Sequence, residues 1–208
     1  MSEKKLNVGV LVSGRGTNLQ ALIDACGEGR ILARIAVVIS NRPGAPALER
    51  AAKAGIPCET LVASKNEGKE AFEKRIEEIL KRHGVDLVVL AGFMRIVSPW
   101  LISRFKNRII NIHPALLPSF PGLESQRQAL EYGVKFSGCT VHFVNEGCDT
   151  GPIILQAAVP VLPGDTVESL SERILAEEHQ LLPKAVDLLA KNKVKIAGRR
   201  VEILEEQT

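Results

Sequence analysis

Short continuous apolar runs alternate with helical patterns of apolar residues through the first half of the chain. The runs typical of strands buried on both faces are 6–12, 34–40, 58–61 and 86–91. The helical patterns begin at Thr17 and cover 45–54 and 67–83. This β-α-β-α-β order predicts the first half of a doubly wound α/β fold.

The second half of the chain continues the alternation and ends in a long helix. The predicted strands are 109–113, 137–144, 153–161, 194–196 and 201–204, and the predicted helices are 100–105, 125–132 and one from Asp165 towards Leu181. Pro183 is expected to disturb the last helix. Since no repeat, low-complexity segment or linker interrupts residues 1–208, we expect a single domain with a Rossmann-like, mostly parallel sheet and helices on both faces.

The end of the strand at 109–113 carries the strongest candidate chemistry. Pro114 lacks a backbone donor and stops this β-branched run just after Asn111 and His113. Because side chains in a strand alternate between faces, positions two apart point the same way, so both should project at the carboxyl end, where open parallel sheets bind ligands. An amide donor beside an imidazole suits a reaction through a charged tetrahedral carbon, although such residues can also simply cap a strand end.

Asp149 is the acidic residue expected near His113. It lies in the turn-rich loop Asn145-Glu146-Gly147-Cys148-Asp149-Thr150-Gly151, between two predicted strands. A carboxylate beside an imidazole fixes the orientation of the ring and stabilises its positive charge. A metal site from Cys139, His142 and Cys148 is disfavoured, because strand positions three apart face opposite sides.

The segment Ser13-Gly14-Arg15-Gly16-Thr17-Asn18 links the first strand to the first helix. Thr17 and Gln20 resemble a capping box, which places the helix start at Thr17 and leaves backbone donors facing the loop, an arrangement that attracts phosphate. The segment is not a P-loop, since no Gly-Lys-Ser/Thr follows, and Leu19 occupies the place of the third glycine of a dinucleotide fingerprint. A tight turn without a ligand remains the alternative.

The loop Gly92-Phe93-Met94-Arg95-Ile96-Val97 leaves a central strand and is the second candidate ligand segment. Its glycine and apolar side chains could shape a pocket for a flat ligand, or Met94 and Ile96 could belong to the core.

The charge, the cysteine content and the N-terminal segment argue against a nucleic-acid-binding, disulfide-rich, secreted or membrane-spanning protein. The formal charge of +3 is small and evenly spread, which argues against a nucleic-acid surface but suits an anionic small molecule. The four cysteines are too scattered for a disulfide framework in 208 residues. The apolar run after the N-terminal Met-Ser-Glu-Lys-Lys is too short for a signal peptide or a membrane span, so we expect a cytoplasmic protein.

Taken together, four motifs closely resemble the folate-dependent phosphoribosylglycinamide formyltransferases. They are residues 11–20, Ala91-Gly92-Phe93-Met94-Arg95, Asn111-Ile112-His113-Pro114 with Leu116-Leu117-Pro118, and Val141-His142-Phe143-Val144 ahead of Asp149. The resemblance covers nearly the whole chain. It implies formyl transfer from 10-formyltetrahydrofolate, as co-substrate, to the primary amine of glycinamide ribonucleotide in purine synthesis.

The resemblance also implies roles for individual residues. Asn111, His113 and Asp149 match the catalytic positions. The implied ribonucleotide-binding residues are Gly16, Thr17, Asn18, Leu19, Gln20 and Glu178. The implied folate-binding residues are Lys69, Met94, Arg95, Ile96, Val97, Asn111, Asn145, Glu146, Gly147, Cys148 and Asp149. No metal is expected, and the expected partners are these small molecules, with the chain a monomer or weak homodimer that binds neither nucleic acid nor membrane.

Two positions depart from the pattern of these formyltransferases. Glu124 stands where bacterial members often carry histidine, and Lys69 replaces a common arginine, which keeps the charge but loses bidentate geometry.

The sequence features also allow three alternative functions to be compared with formyl transfer to the ribonucleotide. A methionyl-tRNA formyltransferase would need a further C-terminal RNA-binding domain, and a formyltetrahydrofolate hydrolase an N-terminal regulatory one, and neither is expected here. A non-catalytic nucleotide-binding module would have no reason to assemble Asn111, His113 and Asp149.

Overall fold

A computed structural model describes residues 4–204 of the chain. Residues 1–3, which begin the segment considered above for a signal peptide, lie outside the described part. The strands are β1 Leu6–Val12, β2 Ala33–Ser40, β3 Cys58–Thr60, β4 Leu87–Leu90, β5 Ile109–His113, β6 Phe136–Phe143, β7 Ile153–Pro160, β8 Val194–Ala197 and β9 Arg200–Ile203. The helices are α1 Thr17–Gly27, α2 Pro46–Lys53, α3 Lys69–Arg82, α4 Pro99–Arg104, α5 Ser125–Tyr132 and α6 Val167–Ala190.

The predicted α/β architecture is confirmed. Seven strands form a mostly parallel sheet in the order β3-β2-β1-β4-β5-β6-β7, and β8 and β9 form a separate antiparallel hairpin. The chain divides into two compact units at Ile110 and Asn111, within β5. The single domain expected over 1–208 remains a prediction.

In the first unit, β2, β1 and β4 are neighbouring parallel strands with apolar residues on both faces. Val10, Leu11 and Val12 of β1 are fully buried, and all four residues of β4 are buried as well. A strand covered on both faces needs continuous rather than alternating apolar residues, which is why these two segments were recognisable in the sequence.

In the second unit, β6 and β7 pair antiparallel, and the long helix α6 packs on both strands. Its buried residues Leu170, Ile174, Leu182 and Val186 recur at helical intervals along one face. The helix begins at a capping box in which Thr166 and Ser169 exchange side-chain and backbone hydrogen bonds, as the predicted start indicated.

Pro183 lies inside α6, and the helix continues past it to Ala190. A proline removes one backbone hydrogen bond and crowds the preceding turn. Here Pro183 is itself buried, and the buried residues Leu182, Ala185 and Val186 hold the helix on either side of it. Tertiary packing therefore outweighs the local cost. Among residues 4–204, none of the helices combines the length and apolar character that a membrane crossing requires.

Candidate active site

Asn111 and His113 lie two residues apart at the carboxyl end of β5, where Pro114 ends the strand. His113 is 4% exposed, and Asn111 is half-buried. The predicted approach of Asp149 is observed. Its Oδ2 lies 3.4 Å from His113 Nδ1, and its Oδ1 accepts a hydrogen bond from Asn111 Nδ2 at 3.4 Å. The second unit thus brings the amide, the imidazole and the carboxylate into one cluster.

The loop that carries Asp149 is folded tightly between β6 and β7. Asp149 has a positive φ of 52°, a conformation that aspartate tolerates better than most residues. Gly151 follows, and a Cβ at that position would lie 1.7 Å from the Phe143 carbonyl oxygen. Only glycine therefore allows the chain to turn back against the end of β6 and present Asp149 to the cluster.

The carboxylate of Asp149 is held by more groups than the predicted pair. The Gly122 N–H donates to its Oδ2 at 2.8 Å. Burial raises the pKa of this carboxyl group, but hydrogen bonds from His142 and Gly122 outweigh that effect. The charges that His113 and His142 carry when protonated act in the same direction. The net result is a pKa well below the usual range for aspartate, so Asp149 is ionised at neutral pH.

This depressed pKa predicts how stability depends on pH. Because ionised Asp149 is favoured in the folded state, its contribution to the free energy of unfolding is fully present above its unfolded pKa of about 4 and is lost as pH falls through its folded pKa. We expect the free energy of unfolding of Asp149→Asn to be lower than that of the wild type near neutral pH. The difference between the two should become smaller as the pH falls. Urea unfolding from pH 7 to pH 3 measures it, with Asp24→Asn on the exposed face of α1 as the charge-matched control. A difference in the free energy of unfolding between wild type and Asp149→Asn that stays the same from pH 7 to pH 3 would contradict the expectation.

Both ring nitrogens of His113 face acceptors. Nε2 lies 2.9 Å from the Phe120 carbonyl oxygen, and Nδ1 faces Asp149. A carbonyl and a carboxylate can only accept, so the doubly protonated ring is the form that donates to both. The bond to Phe120 is short, whereas the contact with Asp149 is long. The contact with Asp149 is therefore the weaker of the two.

The segment 114–122, named here the proline loop, supplies main-chain partners to both groups through Phe120 and Gly122. It is anchored at its start by the buried Thr140 of β6, whose hydroxyl donates to the Ala115 carbonyl at 2.7 Å and accepts from the Leu117 N–H at 3.1 Å. The loop is therefore fixed on the same strand that leads into the aspartate turn.

His142 is a member of the cluster that sequence reasoning missed. It is 2% exposed, its Nδ1 donates to the Phe143 carbonyl at 2.9 Å, and its Nε2 lies 3.3 Å from Asn111 Nδ2 and 3.6 Å from Asp149 Oδ1. Nε2 therefore faces one donor and one acceptor. The alternation rule that paired Asn111 with His113 would also have paired Thr140 with His142 at the end of β6.

The rival metal site is not assembled. Among residues 4–204, no group of three or more His, Cys, Asp or Glu side chains is arranged to hold a metal ion. Burial, with the nearby Glu178 and Glu177, raises the pKa of the Cys139 thiol to about 12, so this thiol is protonated at neutral pH.

The glycine loop, defined as residues 13–18, lies in the first unit between β1 and α1. The helix starts at Thr17 as predicted, but the capping box is wrong. The N-cap is Gly16, which has a φ of +72° and no side chain to cap with, and the Gln20 backbone N–H donates to its carbonyl. A Cβ on Gly16 would lie 2.5 Å from Ala47 Cβ, so the glycine is required by both conformation and close packing on α2.

The other implied ligand residues fall in different environments. Leu19 is fully buried, so only its backbone can meet a ligand. Met94 and Ile96 are 59% and 69% exposed, which rules out the core alternative, while Val97 is buried. Arg95 stacks over the Phe72 ring at 4.6 Å, and Lys69 is exposed at the start of α3. In the second unit, Glu178 is buried on α6, and Asn145–Cys148 lead into Asp149.

Comparison with known proteins assigns the family. The formyl transferase family model matches residues 6–186. The chain belongs to the formyl transferase family. The chain is 44% identical to the phosphoribosylglycinamide formyltransferase of Escherichia coli, over 92% of this chain and 90% of that protein. It is also similar to the crystal structure of glycinamide ribonucleotide transformylase 1 from Symbiobacterium toebii, with a TM-score of 0.96, 57% identity, and coverage of 98% of this chain and 96% of that one.

A longer relative shares the same region. The formyl transferase is 49% identical to the trifunctional purine biosynthetic protein adenosine-3 of Drosophila pseudoobscura pseudoobscura over 100% of this chain. It spans only 15% of the length of that protein.

Proposed function

We propose that this formyl transferase moves the formyl group of 10-formyltetrahydrofolate to the primary amine of 5′-phosphoribosylglycinamide, a step of purine synthesis. The observation that carries the proposal is the meeting of Asn111, His113 and Asp149 at the carboxyl end of β5. The names of the Escherichia coli and Symbiobacterium toebii relatives support this choice of substrates.

The proposed chemistry is an acyl transfer. The amine nitrogen attacks the formyl carbon and forms a carbon–nitrogen bond, and the formyl oxygen becomes an oxyanion. Collapse of this intermediate breaks the bond to N10 of the folate. The amine loses one proton and the departing N10 gains one, so the products are the N-formyl ribonucleotide and tetrahydrofolate.

The cluster of Asn111, His113 and Asp149 can both stabilise the oxyanion and assist the proton transfer from the amine to N10. Asn111 Nδ2 offers a neutral donor and protonated His113 a charged donor to the oxyanion. Both are engaged with Asp149 at 3.4 Å, and such long contacts are readily exchanged for a ligand oxygen. Asp149, ionised at neutral pH, stabilises the imidazolium and can organise the water that carries the proton from amine to N10.

The ribonucleotide is proposed to bind through its phosphate to the backbone of Gly16, Thr17 and Asn18, with Leu19 and Gln20 as further neighbours of the same substrate. The N-terminus of a helix combines backbone donors with a favourable dipole, which makes it a natural phosphate site. Gly16 exposes this end because it caps α1 without a side chain. Buried Glu178 is proposed to contact the amine-bearing arm of the same substrate.

The folate is proposed to lie against Met94, Arg95, Ile96 and Val97, with residues 145–149 closing on its pterin. The exposed side chains of Met94 and Ile96 offer apolar surface to a flat ring. Lys69 is proposed near the glutamyl tail, where its ammonium can attract a carboxylate without bidentate pairing.

An amine-dependence assay tests the proposal. Protein, glycinamide ribonucleotide and 10-formyl folate are mixed, and deformylated folate is followed by absorbance. We expect deformylated folate only when the amine is present. Release without the amine would favour a hydrolase, and no release under any condition would favour a non-catalytic nucleotide-binding module. The lack of nucleic-acid and membrane binding, the cytoplasmic location and the monomer or weak homodimer remain predictions.

The glycine at position 16 offers a separate test of the phosphate site. Gly16→Ala should raise the KM for the ribonucleotide about tenfold or more, because the added Cβ must displace Ala47 and with it the loop. Gly44→Ala is the matched control, since Gly44 has a similar φ of +67° but open space around its Cβ position. Both should lose about 1–2 kcal/mol of stability from the left-handed backbone. Steady-state kinetics showing the same ribonucleotide KM for both variants would argue against the phosphate site.

A further inference from the structure

Ser13 occupies the junction between the glycine loop and the loop that follows β4. It is the first residue after β1 and is 2% exposed. β1 lies between β2 and β4 in the sheet. A side chain at this position therefore lies at the carboxyl ends of three adjacent parallel strands, all within the first unit.

The hydroxyl of Ser13 donates one hydrogen bond and accepts another. It donates to Asn41 Oδ1, just beyond β2, at 2.5 Å, and it accepts from the Met94 N–H at 2.8 Å. A serine hydroxyl has a single proton, and here that proton is committed to Asn41. The Met94 amide is thereby directed at a lone pair of the same oxygen.

The backbone of Ser13 adds a second link to the same neighbour. Its N–H donates to the Gly92 carbonyl at 3.1 Å. The 92–97 loop is thus attached to Ser13 at Gly92 through the main chain and at Met94 through the side chain. Met94 is itself 59% exposed, so the Ser13 hydroxyl fixes the backbone from which this exposed side chain projects.

The opposite side of the glycine loop is held independently by α2. The Ala47 N–H donates to the Gly14 carbonyl at 3.2 Å, and Arg50 Nε donates to the Arg15 carbonyl at 2.9 Å. The glycine loop is thus held by α2 on one side, and on the other side the Ser13 hydroxyl fixes the position of Met94 relative to it.

We propose that Ser13 is a positioning residue that sets the glycine loop and the 92–97 loop in one arrangement, so that ribonucleotide and folate binding depend on the same hydroxyl. This inference rests on the proposed function, which assigns one substrate to each loop. Neither substrate need touch Ser13, because its effect passes through the backbone of Met94 and through Asn41.

Ser13→Ala removes only the hydroxyl links and keeps the backbone bond to Gly92. Ser40→Ala is the matched control. Ser40 is fully buried at the end of β2, and its hydroxyl donates to the Arg42 carbonyl at 2.8 Å and accepts from the Arg42 N–H at 3.1 Å. Both variants lose a buried hydroxyl with two hydrogen bonds, but the bonds of Ser40 stay within one turn.

Calorimetric titrations measure the effect on each substrate alone. Glycinamide ribonucleotide is titrated without folate, and tetrahydrofolate without ribonucleotide, so that no turnover occurs. In Ser13→Ala we expect the Kd of each to rise about three- to tenfold, as for a lost neutral hydrogen bond that orders a binding loop. In steady state both KM values should rise while kcat falls less than about threefold. Ser40→Ala should leave both Kd values within about twofold of the wild type.

Amide hydrogen exchange supplies a readout that needs no ligand. The Met94 amide should exchange faster in Ser13→Ala than in wild type or in Ser40→Ala, because its acceptor has been removed.

Each outcome bears on the inference. A rise in both Kd values with faster Met94 exchange supports it. A rise in only one Kd, unchanged Met94 exchange, or equal effects of Ser13→Ala and Ser40→Ala would overturn it while leaving the proposed function intact. Wild-type protein that binds neither compound would instead overturn the proposed function, and this inference with it.

Discussion

Replacing His113 with alanine should lower kcat by about two to three orders of magnitude with little change in substrate Kd. The reason is that His113 offers the charged donor to the developing oxyanion, and loss of one preorganised donor typically costs about 3–4 kcal/mol of transition-state stabilisation. Asn111→Ala, which removes the neutral donor, should cause a loss of at least similar size. Single-turnover kinetics with saturating ribonucleotide and folate measures both.

A histidine outside the cluster controls for the general effect of the substitution. His83 lies at the end of α3 in the first unit, and His83→Ala should retain nearly normal kcat. Thermal unfolding and circular dichroism would establish that all three variants are folded. Near-normal turnover by folded His113→Ala or Asn111→Ala would remove that residue from the chemistry.

Asp149→Asn should lower kcat by about two orders of magnitude or more. The amide oxygen can still accept from the Gly122 N–H, so the loop keeps its main anchor. What is lost is the negative charge that stabilises the His113 imidazolium and the carboxylate that organises proton transfer, and positioned acid–base groups contribute about 10²–10⁴-fold. The measurement is kcat at neutral pH together with the Kd of the ribonucleotide, which should change little.

Asp165→Asn is the matched control for this prediction. Asp165 also has a depressed pKa, caused chiefly by hydrogen bonding to Arg173, and it pairs with that arginine near the start of α6. Its replacement should lower stability without lowering kcat. If Asp149→Asn and Asp165→Asn had equal kcat values, the carboxylate of Asp149 would have no part in the reaction.

Periodicity in the sequence predicted the elements closely because each helix and strand buries a regular face. The bounds of β1, β5 and α5 coincide with the predicted ones, and the other predicted bounds differ by at most two residues, apart from the far end of α6. That end is set by burial around Pro183, which local propensity does not report. The approach of Asp149 to His113 was predictable from turn composition and strand ends alone.

The rest of the candidate site depends chiefly on main-chain groups and backbone conformation, which the types of residue in the sequence do not reveal. Phe120 contributes a carbonyl, which every residue type carries, and Gly122 an amide N–H, which every residue type except proline carries, so no pattern marks them. The capping box at Thr17 failed because the left-handed conformation of Gly16, imposed by close packing on Ala47, moved the cap one residue back. His142 was detectable by alternation, but sequence reasoning assigned it no place in the catalytic cluster: it appeared only in a disfavoured metal site and in one of the four family motifs.

The use of main-chain atoms to hold His113 and Asp149 has a consequence for redesign of this protein. Because the Phe120 carbonyl and the Gly122 amide belong to the peptide backbone, changing the Phe120 side chain leaves both interactions in place as long as the local φ values of +52° and +83° are kept. Asparagine tolerates such a φ, so Phe120→Asn should change the surface beside Tyr132 and leave His113 and Asp149 in their present positions. Shortening the loop by one residue would move both atoms at once, so its length is under far stronger constraint than its composition.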